Sequence, residues 1–294
     1  MNIQSIHKGL SIQKFSTGYS KKIIVKNLNI PLLPAGKVTA LLGPNGCGKS
    51  TFLRALAGLN KAAGALVLNQ DDLMKMPFSE RAAQVVYLPQ SIPEGIHLHV
   101  FESIIVAKRA SKDSHQQHNM DKNNAANPNN SKHSLKHVLK DEIMEILEQL
   151  GIAHLAWSYL DQLSGGQKQL VGLAQSLVRK PQLLLLDEPL SALDLNYQFH
   201  VMDLVKKETQ KRNIVTVVVL HDINIALRHA DHIIMLKDGD LIANGDPKKV
   251  ITPENIAQVY GVKSRVEKCS LGTPQVLVDG LVNLDLSCAK TAMA

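Results

Sequence analysis

The sequence predicts an α/β fold built on a parallel sheet, and three apolar segments carry that prediction. Lys37–Leu42 is a short apolar run followed by a glycine-rich loop and then by a predicted helix at Thr51–Leu59. Leu183–Leu186 and Ile214–Leu220 are apolar throughout, as expected of strands buried on both faces. Polar residues follow both strands, at the sheet end where ligands bind in open α/β sheets.

The loop after the first of these strands fits the phosphate-binding pattern G-x-x-x-x-G-K-[ST]. It consists of Gly43, Pro44, Asn45, Gly46, Cys47, Gly48, Lys49, Ser50 and Thr51. Its glycines let successive N–H groups point at one anion, and the following helix adds roughly half a positive charge there. Lys49 can reach the terminal phosphates, and the Ser50 hydroxyl can bind Mg²⁺. We therefore predict ATP or GTP binding; a chance glycine turn is disfavoured by the flanking strand and helix.

Composition is that of a globular protein, with 45% hydrophobic and 20% charged residues in 294. The longest apolar runs fall short of the ~18 residues that cross a bilayer, and the amino end shows no secretory signal. Three cysteines form no disulfide framework, which favours a cytosolic compartment. The net charge of +7 is compatible with nucleic acid, an anionic membrane surface or mere solubility, and its scattered lysines and arginines do not choose among them.

Short apolar runs in residues 2–33 predict antiparallel strands before the phosphate loop. Tyr19 lies at a turn there, where its ring could stack on a purine or pack on the core. Further along we predict a strand, a short helical turn and a second strand, at Ala65–Asn69, Ser79–Ala83 and Val85–Leu88. Gln90 lies where the chain leaves the last of these, and by itself would mean little.

In the middle of the chain, the sequence pattern predicts two helices on either side of a polar insertion. Val100–Ala110 and Val138–Leu150 have helical patterns, and the second ends at Gly151. Between them Ser111–Ser134 has almost no apolar residues, which predicts a disordered insertion. Its histidines, His115, His118 and His133, allow a metal-sensing loop, although their spacing matches no structural metal site.

A second helix whose N-terminus could bind an anion is predicted after Leu163. Ser164 is a plausible N-cap, and Gly165, Gly166 and Gln167 open an apolar-faced helix. In isolation this would be an ordinary capped helix.

The strand Leu183–Leu186 ends in two adjacent carboxylates, which are costly at a buried strand end unless they have partners or perform chemistry. Asp187 can hold Mg²⁺ across from Ser50, and Glu188 can point at the water that attacks the γ-phosphate. The alternative is a carboxylate pair that caps the next helix. His221 follows the strand Ile214–Leu220 and belongs to the same edge of the sheet.

The remaining predicted elements are a helix, a hairpin, a second helix and a possible strand. They fall at residues 195–212, at Ala230–Leu236 with Leu241–Asn244, at Pro253–Gly261 and at Val276–Val278.

Taken in order, these segments resemble the ABC ATPases, the nucleotide-binding subunits of ATP-binding cassette transporters, over roughly residues 3 to 280. The LSGGQ signature at Leu163–Gln167, followed by Leu183–Pro189, is close to diagnostic. By this resemblance Tyr19 is the adenine-stacking aromatic, Gln90 the Q-loop glutamine and His221 the switch histidine. Ser191–Asp194 is the D-loop, so Asp194 joins the nucleotide-binding set.

The resemblance implies a P-loop NTPase with a RecA-like core, an antiparallel β subdomain and an α-helical signature subdomain. The cassette is expected at residues 1–262, with its helical subdomain at about 91–180 and the insertion at 111–134. Residues 263–294 form a C-terminal extension.

The same resemblance implies that two copies sandwich two ATP molecules. Lys49 of one copy binds the phosphates, and Ser164 with its two glycines comes from the other copy. Glu188 polarises the attacking water and His221 contacts the γ-phosphate. The implied ligands of Mg²⁺ are Ser50, Gln90 and Asp187.

More narrowly, the chain is similar to ATPases of iron–siderophore, haem and cobalamin importers. The motifs concerned are the phosphate loop, Tyr87–Gln90, Val219–Asn224 and Thr252–Glu254. The resemblance implies a homodimer that binds integral membrane permeases at the cytoplasmic face of the inner membrane. It also implies an indirect partner, a substrate-binding protein, and no nucleic acid partner. Leu170 departs from the family pattern, because it removes a charge after the signature.

Two other functions compete with import. A soluble ABC ATPase acting on ribosomes or DNA is disfavoured by the single cassette and by an insertion without heptads. A regulatory module without turnover is disfavoured by the intact Glu188 and His221.

Overall fold

The computed structural model describes residues 8–19, 22–91, 97–110 and 128–282, with the side chains of 128–137 left aside. Its strands, in chain order, are β1 (Gly9–Tyr19), β2 (Lys22–Pro34), β3 (Lys37–Leu42), β4 (Ala62–Leu68), β5 (Asp71–Asp72), β6 (Val85–Leu88), β7 (Leu183–Leu186), β8 (Val215–Val219), β9 (His232–Lys237), β10 (Asp240–Gly245), β11 (Val262–Lys268) and β12 (Pro274–Leu281). Its α-helices are α1 (Lys49–Leu56), α2 (Phe78–Gln84), α3 (Val100–Arg109), α4 (Pro128–Gln149), α5 (Gly165–Val178), α6 (Leu195–Arg212), α7 (Ile223–His229), α8 (Pro247–Val250) and α9 (Pro253–Tyr260).

The central sheet has the order β10-β9-β3-β8-β7-β6, and the predicted α/β class is confirmed. Neighbours from β9 to β6 are parallel, whereas β10 pairs antiparallel with β9. Successive strand residues point to opposite faces, so β7 contributes to two cores. Leu184 and Leu186 pack with the helices, and Leu183 and Leu185 pack against the amino-terminal region. This explains why the strand is apolar at every position.

A separate antiparallel sheet, in the order β2-β1-β4-β5, covers that second face. The predicted antiparallel strands before the phosphate loop are thus present. β1 and β2 are longer than the apolar runs indicated, because irregular pairing along β1 shifts which residues face the core. Phe15 from β1 meets Phe52 from α1 edge to face, with ring centroids 5.8 Å apart. This contact joins the sheet to the helix that follows the phosphate loop.

The helices α3, α4 and α5 pack on one another, and the signature lies at the start of α5. α4 begins at Pro128, inside the segment predicted to be disordered, so that prediction is wrong for residues 128–134. Proline is favoured in the first turn of a helix because its φ is preset and its missing N–H has no helical partner there. The rest of the predicted insertion, residues 111–127, lies outside the described residues.

The carboxyl-terminal part contains a hairpin of β11 and β12 that the sequence only partly indicated. In β11 half-buried residues alternate with exposed ones from Val262 to Val266, and in β12 only Val276 is buried. The sequence therefore showed an apolar run only around Val276. Within the described ranges, no helix is both long enough and apolar enough to span a membrane.

Candidate functional site

A cavity of about 440 Å³ opens at the carboxyl ends of the central strands. Its lining residues come from the phosphate loop, from β2 and from the segments after β6, β7 and β8. They are Ile24, Asn45, Gly46, Gly48, Lys49, Ser50, Thr51, Gln90, Glu188 and His221. The structure therefore brings the four predicted catalytic residues, Lys49, Gln90, Glu188 and His221, to one place.

The phosphate loop depends on glycine where its backbone is left-handed or closely packed. Gly43 has φ +153°, and a Cβ there would lie 2.3 Å from the Leu236 carbonyl oxygen. Gly48, with φ +105°, is the N-cap of α1. Only glycine adopts these conformations without strain, so the loop can wrap tightly around the start of the helix.

Lys49 is buried at the base of the cavity, where its Nζ donates hydrogen bonds to the Gly43 and Pro44 carbonyl oxygens at 2.8 and 2.9 Å. Both acceptors are neutral, so the positive charge stays available to an anion. Cys47 lies buried in the same loop, and that burial raises the pKa of its thiol. The neutral thiol adds no negative charge beside Lys49.

Asp187 is only 2% exposed and receives two hydroxyl hydrogen bonds. Ser50 Oγ donates to its Oδ1 at 3.1 Å, and the Tyr87 hydroxyl donates to its Oδ2 at 2.8 Å. Burial raises the pKa of the Asp187 carboxyl. The adjacent hydroxyl and carboxylate suit Mg²⁺, which takes oxygen ligands and commonly uses one or two protein groups beside phosphates and water. Among the described residues no cluster of three or more His, Cys, Asp or Glu could hold a metal alone.

Glu188 is bound on both of its carboxylate oxygens. Its Oε1 lies 2.7 Å from His221 Nε2, and its Oε2 accepts a hydrogen bond from Gln90 Nε2 at 2.6 Å. The residue has φ +52°, a left-handed conformation that costs a non-glycine residue on the order of 1 kcal/mol or more. Gln169 Nε2 donates to the Glu188 carbonyl oxygen at 2.8 Å, which helps to hold the strained backbone.

Tyr19 contacts Thr51, one of the residues that line the cavity. Its hydroxyl accepts a hydrogen bond from Thr51 Oγ1 at 3.4 Å, and this bond is the main cause of a lowered pKa. The side chain is 50% exposed, so the alternative that Tyr19 packs on the core is not supported.

The signature residues line a different cavity of about 260 Å³. Ser164 caps α5: its Oγ accepts from Gln167 N at 3.3 Å, and Gln167 Oε1 accepts from Ser164 N at 2.9 Å. Ser164, Gly166, Gln167 and Asp194 all line this second cavity, and none of its lining residues also lines the first. Within one chain, the structure does not bring the two predicted nucleotide-binding sets together.

Close packing explains the second signature glycine. A Cβ on Gly166 would lie 2.7 Å from the Ala192 carbonyl oxygen, whereas Gly165 has Ala192 Cβ at 3.8 Å. Asp194 Oδ1 accepts from Tyr197 N at 2.9 Å and caps α6. The signature helix and the D-loop are therefore packed as one unit.

Sequence reasoning missed two residues that support the site. Gln169 joins the signature helix to Glu188, and its Oε1 also accepts from Ala192 N at 3.2 Å. Tyr87 holds Asp187 from the neighbouring strand. Tyr87 stands three residues before Gln90 at the end of a buried strand, which was the available signal. Leu170 is buried in the apolar cluster of the helices, which accounts for an uncharged residue there.

Comparison with known proteins agrees with this geometry. A family model described as ABC transporter matches residues 25–191. The iron(3+)-hydroxamate import ATP-binding protein FhuC of Bacillus subtilis (strain 168) is 34% identical over 264 residues, covering 87% of this chain and 89% of FhuC. The ferric enterobactin transport ATP-binding protein FepC of Escherichia coli (strain K12) is 30% identical over 267 residues, covering 90% of this chain and 92% of FepC.

Solved structures share the fold. A nucleotide-free ATP-binding cassette from an ABC transporter superposes with a TM-score of 0.69 at 23% identity, covering 86% of this chain and 98% of that one. The chain belongs to the ABC transporter family, and it is an ATPase of that family's ATP-binding type. The predicted resemblance to iron–siderophore importer ATPases is confirmed at the level of these relatives.

Proposed function

We propose that this chain hydrolyses ATP to drive import of an iron chelate through separate membrane permease subunits. The observation that carries the proposal is the arrangement of Glu188, with Gln90 and His221 on its two oxygens, above the Lys49 loop. FhuC and FepC, whose names specify iron(3+)-hydroxamate and ferric enterobactin, favour iron–siderophore cargo. Haem and cobalamin remain the other cargoes that the motifs suggest.

Phosphate binding falls to the loop and its helix. Lys49 can exchange its two carbonyl contacts for phosphate oxygens, because an ion pair with an anion is stronger than a hydrogen bond to a neutral carbonyl. The amides from Gly46 to Thr51 and the start of α1 add further attraction for the triphosphate. Tyr19 would stack on the base, and its exposed ring and its contact with the cavity-lining Thr51 support this role.

Ser50 and Asp187 are the residues that would hold Mg²⁺, with Gln90 within reach of the same cavity. When bound, the ion withdraws charge from the phosphate oxygens. Asp187, whose buried carboxylate accepts hydrogen bonds from the Ser50 and Tyr87 hydroxyls, would supply the negative charge for the ion. Tyr87 then keeps the carboxylate oriented through its hydrogen bond.

Glu188 is the group that polarises the attacking water. Its left-handed backbone and the Gln169 hydrogen bond aim its carboxylate into the cavity rather than into the core. His221, on the opposite side, can donate from Nε2 to the γ-phosphate once it leaves Glu188. Gln90 links the carboxylate to the segment after β6, so it can report nucleotide state to the helical region.

Two copies would complete each site. Ser164 and the glycines after it present a helix N-terminus, but they face a cavity separate from the phosphate loop of their own chain. A second copy placed head to tail would set this cap against the γ-phosphate. ATP then favours the closed dimer because only that state offers both halves.

Permease subunits would bind on the helical side, next to Gln90. In the helical region Trp157 is 63% exposed, and its ring centroid lies 5.1 Å from that of Phe101 in α3, which leaves an aromatic surface for a membrane partner. The chain would then lie at the cytoplasmic face of the inner membrane, and a substrate-binding protein would deliver cargo to the permeases.

Replacement of Glu188 by glutamine tests the proposed function. We expect Glu188→Gln to abolish steady-state hydrolysis yet retain ATP binding. The glutamine side chain keeps the shape of glutamate and its place beside Gln90, but it lacks the negative charge that polarises water. The trapped ATP should shift the protein from monomer to dimer on size-exclusion chromatography with MgATP.

Glu148→Gln is the matched control, because Glu148 is exposed on α4 and does not line the cavity. This variant should hydrolyse ATP at the wild-type rate. Wild-type turnover in Glu188→Gln would remove Glu188 from its role and leave the proposed mechanism without a base.

A further inference from the structure

Asn224 connects the segment after His221 to the carboxyl-terminal hairpin. Asp222 caps the short helix α7, accepting from the backbone amides of Asn224 and Ile225 at 2.7 and 3.1 Å. The Asn224 side chain leaves the helix and binds Val276 of β12 twice. Its Nδ2 donates to the Val276 carbonyl oxygen at 3.2 Å, and its Oδ1 accepts from Val276 N at 2.7 Å.

These two hydrogen bonds are made by backbone groups on the outer edge of the hairpin. Val276 lies opposite Val266 of β11, but its N–H and C=O both go to Asn224 and therefore point away from β11. In an antiparallel pair, alternate residues turn both backbone groups outward in this way. The Asn224 amide thus pairs with an edge strand as another strand would, and it does so at the one buried residue of β12.

The anchor lies three residues from an exposed catalytic side chain. His221 is 47% exposed, and its imidazole is held by the Glu188 contact. α7 has only seven residues, and a helix so short gains little stability of its own. Its position, and with it the direction of the preceding residue, must be fixed by tertiary contacts such as the Asn224–Val276 pair.

We propose that Asn224 is a positioning residue for His221, and that the hairpin of β11 and β12 is thereby a working part of the hydrolytic site. The proposal rests on the function proposed for His221. It also gives Asn224 a role within the motif Val219–Asn224, although phosphate binding itself does not require this residue.

Steady-state kinetics of the full chain test this role. Asn224→Ala removes both bonds, and we expect kcat to fall about tenfold while the KM for ATP changes less than about twofold. Val276→Pro removes the N–H that donates to Oδ1 and replaces the buried valine side chain with a smaller ring, while the carbonyl that accepts from Nδ2 is kept. Proline is compatible with the ladder there because that N–H lies outside it, and kcat should fall by about threefold. Gln275→Ala, on the adjacent exposed residue, is the matched control and should leave both parameters unchanged.

Combination with His221→Ala separates positioning from general destabilisation. If Asn224 acts through His221, adding Asn224→Ala to His221→Ala should cause no further loss of kcat. A further tenfold loss in the double variant would overturn the proposal, as would wild-type kcat in Asn224→Ala.

The imidazole signals of His221 in nuclear magnetic resonance spectra, assigned with His221→Gln, test the position without any turnover. We expect them to shift in Asn224→Ala and in Val276→Pro but not in Gln275→Ala; unchanged signals would refute the positioning. Full turnover in His221→Ala would refute the hydrolytic role proposed for His221, a separate result that the imidazole signals do not affect.

Discussion

Glu188 shows how a residue can be identified from sequence while its conformation cannot. Two carboxylates after an apolar strand predict chemistry, but no local pattern predicts φ +52° at the second one. The Glu188 carbonyl oxygen accepts hydrogen bonds from nearby Ser191 and from Gln169, which belongs to a different element. Strain of this kind persists only where the surroundings over-determine it, which is common at functional sites.

The site residues that the sequence identified all belong to motifs with fixed spacing. Lys49, Gln90, Glu188 and His221 line one cavity, as their positions at strand ends led us to expect. The supporting roles of Gln169 and Tyr87 were not predicted, because a lone glutamine in a helix and a tyrosine in a strand are ordinary residues. Their roles follow from pairings across the sheet and between α5 and the D-loop, which a single sequence does not reveal.

Lys49 should dominate nucleotide affinity at the residue scale. Charge-assisted hydrogen bonds contribute about 2 kcal/mol, so Lys49→Ala should weaken ATP binding at least thirtyfold, roughly the ratio that this energy gives. Fluorescence titration with an ATP analogue measures the change.

Lys75→Ala is the control for this variant. Lys75 is well exposed and pairs with Asp72, away from the phosphate loop, so its removal should leave affinity unchanged. Equal ATP affinity in Lys49→Ala and Lys75→Ala would contradict the assignment of phosphate binding to Lys49.

Elements were predictable where their periodicity was strong. The parallel strands β3, β6, β7 and β8 lie within a residue or two of the predicted runs, because each is buried on both faces. The hairpin of β11 and β12 was visible only in part, since it has one buried face and many exposed residues. The division into a cassette at 1–262 and an extension at 263–294 stays a prediction, and β11 begins at Val262 beside that boundary.

The helix α4 shows where composition alone misled the prediction. Residues 128–134 are polar enough to resemble the preceding insertion, yet they continue the helix whose apolar face begins further on. Ile143, Ile146, Leu147 and Leu150 make that face, and all are buried. Composition measures how much apolar surface a segment can bury, not whether a neighbouring helix extends through it.

Removal of residues 111–134 should therefore leave hydrolysis intact. The deletion takes away the first turns of α4 but none of the four buried residues named above. We expect the ATPase rate to stay within about twofold of wild type and the melting temperature to fall by only a few degrees, in line with a loss below ~1 kcal/mol.

Ile146→Asp is the contrasting variant for the deletion. It places a charge in the core that α4 shares with α5. We expect the free energy of unfolding to fall by about 3 kcal/mol or more, several times the loss expected for the deletion. Lost folding on deletion of 111–134 would show that the segment is needed for the structure.

At the scale of the whole molecule, the separation of the two cavities is the central feature. One cavity holds Lys49, Glu188 and His221, and the other holds the Ser164 cap. The chain belongs to the ABC transporter family, and its relatives include ATP-binding proteins of iron-chelate import. A head-to-tail dimer would join the first cavity of each copy to the second cavity of the other.

Thiol crosslinking between copies measures that arrangement most directly. Cysteines introduced as Asn45→Cys and Ser164→Cys, in a Glu188→Gln background with Cys47, Cys269 and Cys288 replaced, place one thiol in each cavity. A short bifunctional thiol reagent then joins only thiols brought close together. Asn45→Cys combined with Glu148→Cys is the control, because Glu148 lies on the exposed side of α4.

We predict that MgATP produces a crosslinked dimer of the Asn45→Cys, Ser164→Cys variant, that ADP or no nucleotide produces little, and that the control pair stays monomeric throughout. Absence of the crosslinked dimer in protein that demonstrably binds MgATP, or an equal yield without nucleotide, would contradict the claim that each ATP is enclosed between the loop of one copy and the serine cap of another.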